Sequence, residues 1–534
     1  MISLSLVALP LVVSYLVYIY LVFPVFFSPL SKIPSAHFLS SFSPVWILWK
    51  RYKGQENRAI HAAHVKYGGI VRLGPNEVSV ACVDNGIRTV YSGGFEKWNW
   101  YPNQFENYGV PNMFSMANSK PHSIQKRMIS NVYSKSYLQS SPELHQISKI
   151  MIFDRLLPLL QDVATKGQSL DVHDLNHSST MDFIIAFIFG LQTSTNFIQD
   201  VKTRKEWISI YQSRRPFRFW AAELPGVVCF FKRLGINIIP AWVSNANRWL
   251  EDWTLEKCDA AAASVYEFED PFSAGKEKLD TLPTTPTRTT PIVFCQLADC
   301  LKPNPAYRSP HPMRLSIATE LHDHLAAGHE TSGITLTYLF HELSLNPPIQ
   351  SRLRAELRAH LPSLLPSSPE RKPHDMPNPR TIDALPFLNA CLLETLRIHA
   401  AIPGPQPRIT PHSPSMSLAN SPPLPGGVRV SAQAYTLHRN ADVFPEPELW
   451  RPERWIEASE AEKLEMGRWF WAFGSGGRMC IGRHFAVQEM KLITAAIYAN
   501  FTTHIVDDEG IEQIDAYTAG PKGNKLMLRF ERVE

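Results

Sequence analysis

No two cysteines of the chain are spaced C-x-x-C, and the seven present, Cys82, Cys229, Cys258, Cys295, Cys300, Cys391 and Cys480, are odd in number and irregularly placed. That argues against a disulfide framework and suits a reducing compartment. Six of them read as small buried hydrophobes, and only Cys480 has neighbours that say more. An excess of one charge is also missing: 53 Lys and Arg stand against 49 Asp and Glu, a net charge of +4, with no basic cluster of the kind phosphate binding needs. Nucleic acid is therefore not an expected partner. No internal repeat is present, and with 44% hydrophobic and 19% charged residues the composition is globular rather than disordered. Length alone leaves the domain count open.

The first acid of the chain is Glu56, and residues 1–31 carry no charge at all. This stretch of Leu, Val, Ile, Phe and Tyr exceeds the ~20 apolar residues that span a bilayer. A cleaved signal peptide wants a basic start and a shorter apolar core, so the expectation is a single transmembrane anchor over 1–31. Lys32, Lys50, Arg51 and Lys53 follow it and place the body, 32–534, on the cytosolic side. Ser28-Pro-Leu-Ser-Lys-Ile-Pro34 reads as a stiff linker to that body.

Ile70-Val-Arg-Leu73 and Val78-Ser-Val-Ala81 flank Gly74-Pro-Asn-Glu77, a strand–turn–strand pattern. Helical periodicity follows over 171–190, 240–265 and 314–345, the last long enough to cross the whole body. Between the last two, 269–312 is rich in Pro, Thr and Ser and reads as a mobile connection, with Thr284–Pro291 at its centre. Residues 362–386 are similarly proline-laden, and 402–443 alternates short strands with turns.

Chemistry concentrates in Phe473-Gly-Ser-Gly-Gly-Arg-Met-Cys-Ile-Gly482, just ahead of an apolar helical run from His484 to Tyr498. Gly476 and Gly477 permit a tight turn that offers amide N–H groups to a sulfur, and the helix adds its positive end. A thiol so placed is expected to have a lowered pKa. Gly482 lets a flat macrocycle approach, and Arg478 is a cation for one of its carboxylates.

This segment resembles the F-x-x-G-x-R-x-C-x-G haem loop of the cytochrome P450 superfamily, matched at Phe473, Gly476, Arg478, Cys480 and Gly482. Ala327-Gly-His-Glu-Thr-Ser332 is similar to the family's oxygen-binding stretch, where Gly328 and the Thr331 hydroxyl would open the helical ladder locally. Glu394 and Arg397 look like its E-x-x-R pair, and Arg454, in Pro452-Glu-Arg-Trp455, like the third member of a buried structural ion cluster. Where relatives carry W-x-x-x-R for a haem propionate, this chain has His122 and Lys126, followed by Arg127. Arg408 resembles a further propionate contact.

The resemblance implies a mainly α fold with small β-sheets (α+β) preceded by the single membrane helix, with the haem-binding half over about 313–534. It implies haem b with Cys480 as axial ligand, Glu330 and Thr331 in proton delivery, and electrons from NADPH through NADPH-cytochrome P450 reductase. The product would be an apolar small molecule carrying one oxygen atom from dioxygen. The linker and Lys66–Pro75 look like fungal microsomal members, hence an endoplasmic-reticulum enzyme of secondary metabolism, by analogy. Arg468, Arg478, Arg483, His484 and Lys491 are candidates for a positive face toward an acidic reductase. Other readings are a peroxide-using or isomerase/dehydratase-type haem-thiolate enzyme, or a non-catalytic haem-binding protein. A zinc helix is excluded because Gly333 stands where H-E-x-x-H needs its second histidine.

Overall fold

A computed structural model of the chain describes residues 4–265, 289–303, 310–365 and 376–533. Among these the structure is mainly helical with two small sheets. Helix α1 (Leu4–Val17) winds on through Tyr18–Phe27, and the apolar span Ala8–Phe27 has none of its length buried. Just beyond it the chain changes fate: Leu30 and Ile33 are buried in the body. The buried Arg72 guanidinium joins the two regions, donating from Nη1 to the Pro24 carbonyl at 2.9 Å.

The sequence hairpin forms as β1 (Ile70–Gly74) and antiparallel β2 (Glu77–Val80), turning at Pro75 and Asn76. Helix α2 spans Ser119–Ile129, and β3 is Ser169–Asp171. Helix α3 (Val172–Phe189) starts where the Asp171 carboxylate accepts the His173 N–H at 3.0 Å and stops at Gly190, whose φ of +81° suits glycine. All of its residues but Asp174 are buried, so the expected helix forms but is enclosed on every side rather than carrying one apolar face. Next come α4 (Val201–Ser213), α5 (Arg218–Glu223) and α6 (Ala241–Val265).

Part of the 269–312 stretch departs from expectation. Thr284 to Arg288 lie outside the described residues, but α7 (Ile292–Leu301) is a buried helix whose apolar face, including Val293, Phe294 and Leu297, overrides the loop-like composition around it. The 362–386 stretch is likewise not all connection, since Pro379–Ala384 is helical; residues 366–375 lie outside the described set. Cys258, Cys295 and Cys391 are buried, whereas Cys82 and Cys300 are half-buried and Cys229 is exposed on Pro225–Arg233, a helix with no buried residue, so the buried reading holds for only three of the six.

The central helix, α8 (Pro310–Leu345), has 36 residues, about 54 Å at 1.5 Å per residue. It packs along α3 with glycine at the contact: a Cβ on Gly328 would lie 2.7 Å from Ile184 Cγ1, and one on Gly333 2.9 Å from His177 Cγ. Helix α9 (Pro386–Ile398) follows, then β4 (Arg408–Ile409) and β5 (Arg429–Ser431), which join the hairpin in the order β1-β2-β5-β4. Helix α10 (Arg483–Asn500) leads into β6 (Phe501–Asp507), and β7 (Met527–Arg532) pairs with both β6 and β3.

Candidate active site

Gly476 turns the loop ahead of Cys480 with φ +69°, and a Cβ there would sit 2.2 Å from the Tyr91 carbonyl oxygen, so the position admits only glycine. The Cys480 N–H donates to the Phe473 carbonyl at 3.0 Å, and Gly482 caps α10. The N–H groups that reach the sulfur are those of Gly482 and Arg483 at the start of α10, rather than those of the Gly476–Gly477 turn. The expected fall in pKa does not follow in the bare chain: burial raises it, and the two amides with the charges of Lys126 and Arg483 only partly offset that. A thiolate here needs a further positive charge, such as a metal ion.

Cys480, Phe473 and Gly482 line a cavity of about 550 Å³ together with Ala327, Gly328 and Thr331 of α8. Lys97, His122, Lys126, Arg408 and Arg478 line it too. Arg408 Nη1 reaches the Tyr101 hydroxyl at 3.1 Å, and its guanidinium lies 4.9 Å from the Tyr91 ring centre. Arg478 donates to the carbonyls of Met116 at 2.8 Å and Ala117 at 2.6 Å and touches Glu96 at 3.1 Å. Burial, followed by the charges of Arg408 and Arg478, holds Lys97 well below the usual lysine pKa. Burial and the same arginines with Lys97 and Lys126 push His122 down to about 3. Cations that repel one another in a buried cavity are what a bound dicarboxylate would neutralise, so this donor set, with one cysteine sulfur, fits haem.

The choice between Lys126 and Arg127 is resolved by the helix face. Lys126 faces the cavity and donates to Gly477 O at 2.9 Å and Met479 O at 2.8 Å, whereas Arg127 is exposed. Lys97 and Tyr101 were not singled out from sequence, where a lone lysine among aromatic residues carries no signal. Packing alone brings them here.

Thr331 Oγ1 donates to the Ala327 carbonyl at 2.9 Å. Helix α8 nevertheless runs unbroken through this stretch, so the expected opening of the ladder is replaced by this single side-chain bond, and Gly328 serves close packing on α3. The Glu330 carboxylate accepts from Tyr211 OH at 2.7 Å, Thr518 Oγ1 at 2.8 Å and Arg215 Nη2 at 2.5 Å. Although burial works against ionisation, Arg215 and Arg218 bring its pKa to about 2.

Away from the cavity, Glu394 bonds Arg397 through Nε at 2.9 Å and Nη2 at 2.8 Å, and also Arg454 Nε at 2.8 Å and Trp455 Nε1 at 2.9 Å. All three ionic partners are buried. Arg397 continues the chain of contacts: its carbonyl bonds His438 Nδ1 at 2.8 Å, and His438 Nε2 accepts the Trp471 N–H at 2.7 Å, two residues before Phe473. His438 and Trp471 thus tie the ion cluster to the cysteine loop, a link with no sequence motif.

The positive face looks different once folded. Arg478 lines the cavity, Lys491 is buried against Asp383 at 3.0 Å, and Arg468 is paired with Glu465 and Asp84. Arg483 and His484 remain partly exposed. Among the described residues no group of His, Cys, Asp and Glu could hold a metal ion by itself.

The family model described as Cytochrome P450 matches residues 299–528. The cytochrome P450 monooxygenase avaI of Aspergillus versicolor is 31% identical over 442 residues, covering 80% of this chain and 94% of that protein. The cytochrome P450 monooxygenase FGM1 of Gibberella zeae is 24% identical, covering 89% of this chain and 88% of its own. N-acetyltryptophan 6-hydroxylase ivoC of Emericella nidulans is 26% identical, with 93% and 91% covered. With a cysteine loop, a central helix and a cationic cavity that such an enzyme requires, the chain belongs to the cytochrome P450 family and is an oxidoreductase of its monooxygenase kind.

Proposed function

We propose that the chain binds haem b through the Cys480 thiolate and inserts one oxygen atom of dioxygen into an apolar small molecule, as a hydroxylation or oxidation step of fungal secondary metabolism. The observation that carries this reading is the sharing of one cavity by Cys480, Thr331 and the cations Lys97, Arg408 and Arg478. When bound, thiolate-ligated haem supplies activation of dioxygen with electrons delivered from outside, here from NADPH through NADPH-cytochrome P450 reductase.

The chain's own groups divide the remaining work. Arg408, Arg478 and Lys97, with His122 and Lys126 beside them, would hold the haem carboxylates, and Phe473 and Gly482 line the same cavity, where the ring would bind. Thr331, with its own proton given to the Ala327 carbonyl, keeps lone pairs free to hold a water that passes protons to dioxygen. Glu330, held ionised by hydrogen bonds from the Tyr211 and Thr518 hydroxyls, would feed that relay from the solvent side. Glu394, Arg397 and Arg454 position the loop. Residues 1–31 anchor the catalytic domain, 32–534, to the endoplasmic-reticulum membrane with its body in the cytosol and its haem-binding half in about 313–534; the exposed span Ala8–Phe27 supports this.

The test is spectroscopic. The reduced carbonyl complex of the purified protein should show the red-shifted Soret band of thiolate-bound haem, and Cys480→Ala should abolish it. An unchanged band in the variant sinks the assignment. Product formation without reductase would instead favour peroxide-using or isomerase chemistry.

A further inference from the structure

Three arginines fall within five residues at the end of α4: Arg214, Arg215 and Arg218. The fold sorts them. Arg215 turns away from the cavity and pairs with Glu330 at 2.5 Å, whereas Arg214 and Arg218 line the cavity and form no ion pair among the described residues. Arg214 donates from Nε to the Tyr211 carbonyl at 3.2 Å and from Nη1 to Asn247 Oδ1 at 2.9 Å, both neutral acceptors. Its guanidinium lies 4.8 Å from the Tyr211 ring centre, and that of Arg218 lies 6.0 Å away. Tyr211 is a neutral phenol, since burial raises its pKa to about 12. Glu330 is thus the one carboxylate directly bonded to this trio, and two positive charges are left over.

Among the described residues no other acid of the cavity is bonded to them. Burial raises Asp323 to about 7, with His324 and Lys97 as its opposing charges; Glu251 accepts the Tyr108 N–H at 2.9 Å; Glu106 is exposed. Burial, with Arg218 and Arg215, holds Arg214 down at about 10 against the opposing pull of Tyr211 and Glu330, which together raise Arg218. The strongest influences on the two sets differ: Lys97 and His122 feel Arg408 and Arg478, whereas Arg214 and Arg218 respond first to Tyr211, Glu330 and neighbouring arginines. Phe217, Ala221, Ile239 and Val243 give the adjoining walls an apolar character.

We propose that the substrate is an organic anion, a carboxylate on an aryl or alkyl body, whose charged end is held by Arg214 and Arg218 while its apolar body fills the rest of the cavity. This rests on the cavity being the oxidation site. Two guanidinium forks can meet one carboxylate with parallel charge-assisted hydrogen bonds, and Asn247 orients the first of them. Discrimination follows from desolvation: a neutral analogue covers both cations without pairing them.

The experiment uses haem-loaded full-length protein and equilibrium dialysis against a panel of aryl- and alkylcarboxylates of about 10–20 heavy atoms, each beside its primary amide and its amine. The best carboxylate should bind tenfold to a hundredfold more tightly than its amide, and the amine should bind worst. Arg214→Gln and Arg218→Gln should each lose most of that preference while keeping the reduced-carbonyl Soret band, and Arg214→Lys should recover part of it. The proposal is overturned if no carboxylate in the panel outbinds its own amide, or if both glutamine variants keep the full preference. Loss of the Soret band in the wild-type protein would overturn the haem-thiolate reading instead, which dialysis does not probe.

Discussion

At Glu330 the balance of burial against Arg215 and Arg218 has a pH signature. The folded pKa of about 2 lies below the ordinary 4.5, so the ionised group contributes stability that is complete above about pH 4.5 and is lost as pH falls toward 2. That difference corresponds to at most about 3 kcal/mol. Glu330→Gln should lower the thermal midpoint at pH 7, and the gap to wild type should close between pH 4.5 and 2; a gap independent of pH would show that the carboxylate is not the stabilising species. Thr331→Ala should leave the thiolate spectrum and NADPH consumption in place while product per NADPH falls and hydrogen peroxide rises, by roughly a hundredfold or less given general acid–base contributions. Unchanged coupling would make Thr331 a packing residue. Cys480 and Thr331 are legible in the chain because each is defined by its immediate neighbours. Lys97 is not, because its importance comes from lying beside Arg408 and Arg478, more than three hundred residues away in sequence.

Among elements, the contact between α3 and α8 turns on glycine. Gly328→Val places carbon against Ile184, and overpacking of this kind costs about 1–3 kcal/mol. Ile184→Ala in the same chain should return part of that loss, which thermal melting of the double variant would reveal; additive losses would mean the two residues do not meet. Glu394→Ala strips two buried arginines of their carboxylate, a change that costs about 3–5 kcal/mol, and through His438 and Trp471 it should also lower the fraction of protein retaining haem. Full haem content at reduced stability would confine the network to general packing. Helices α3, α8 and α10 were readable as long helical runs in the sequence. Helix α7 was not, because its seven buried residues sit inside a Pro- and Thr-rich stretch whose composition points to a connection.

For the whole molecule, the end of the apolar N-terminal run matters to more than the membrane. Removing residues 1–27 leaves Leu30 and Ile33 in the body, whereas removing 1–33 takes both out of a cluster that includes Val78 and Val430. The longer deletion should melt several degrees lower, at about 2–5 kcal/mol for each large apolar side chain lost from a core. Topology needs a probe other than the two Asn-x-Ser/Thr sequons, since Asn176 is fully buried and Asn500 donates to the Leu364 carbonyl at 3.0 Å. Neither is open to a glycosyltransferase on either side of a membrane.

By itself, the amino-acid order determined the cysteine loop, the uncharged leader, the long helices and the Glu394–Arg397 spacing, because turn geometry, hydropathy and helical faces are written over about ten to thirty consecutive residues. Tertiary structure alone decided which cations face the cavity. It turned Lys126 inward and Arg127 outward, buried Lys491, raised rather than lowered the Cys480 pKa, and set Arg214 and Arg218 on the cavity wall with Arg215 behind them. Side-chain direction and desolvation depend on what distant segments pack against each group, and that information is not local to any stretch of the chain.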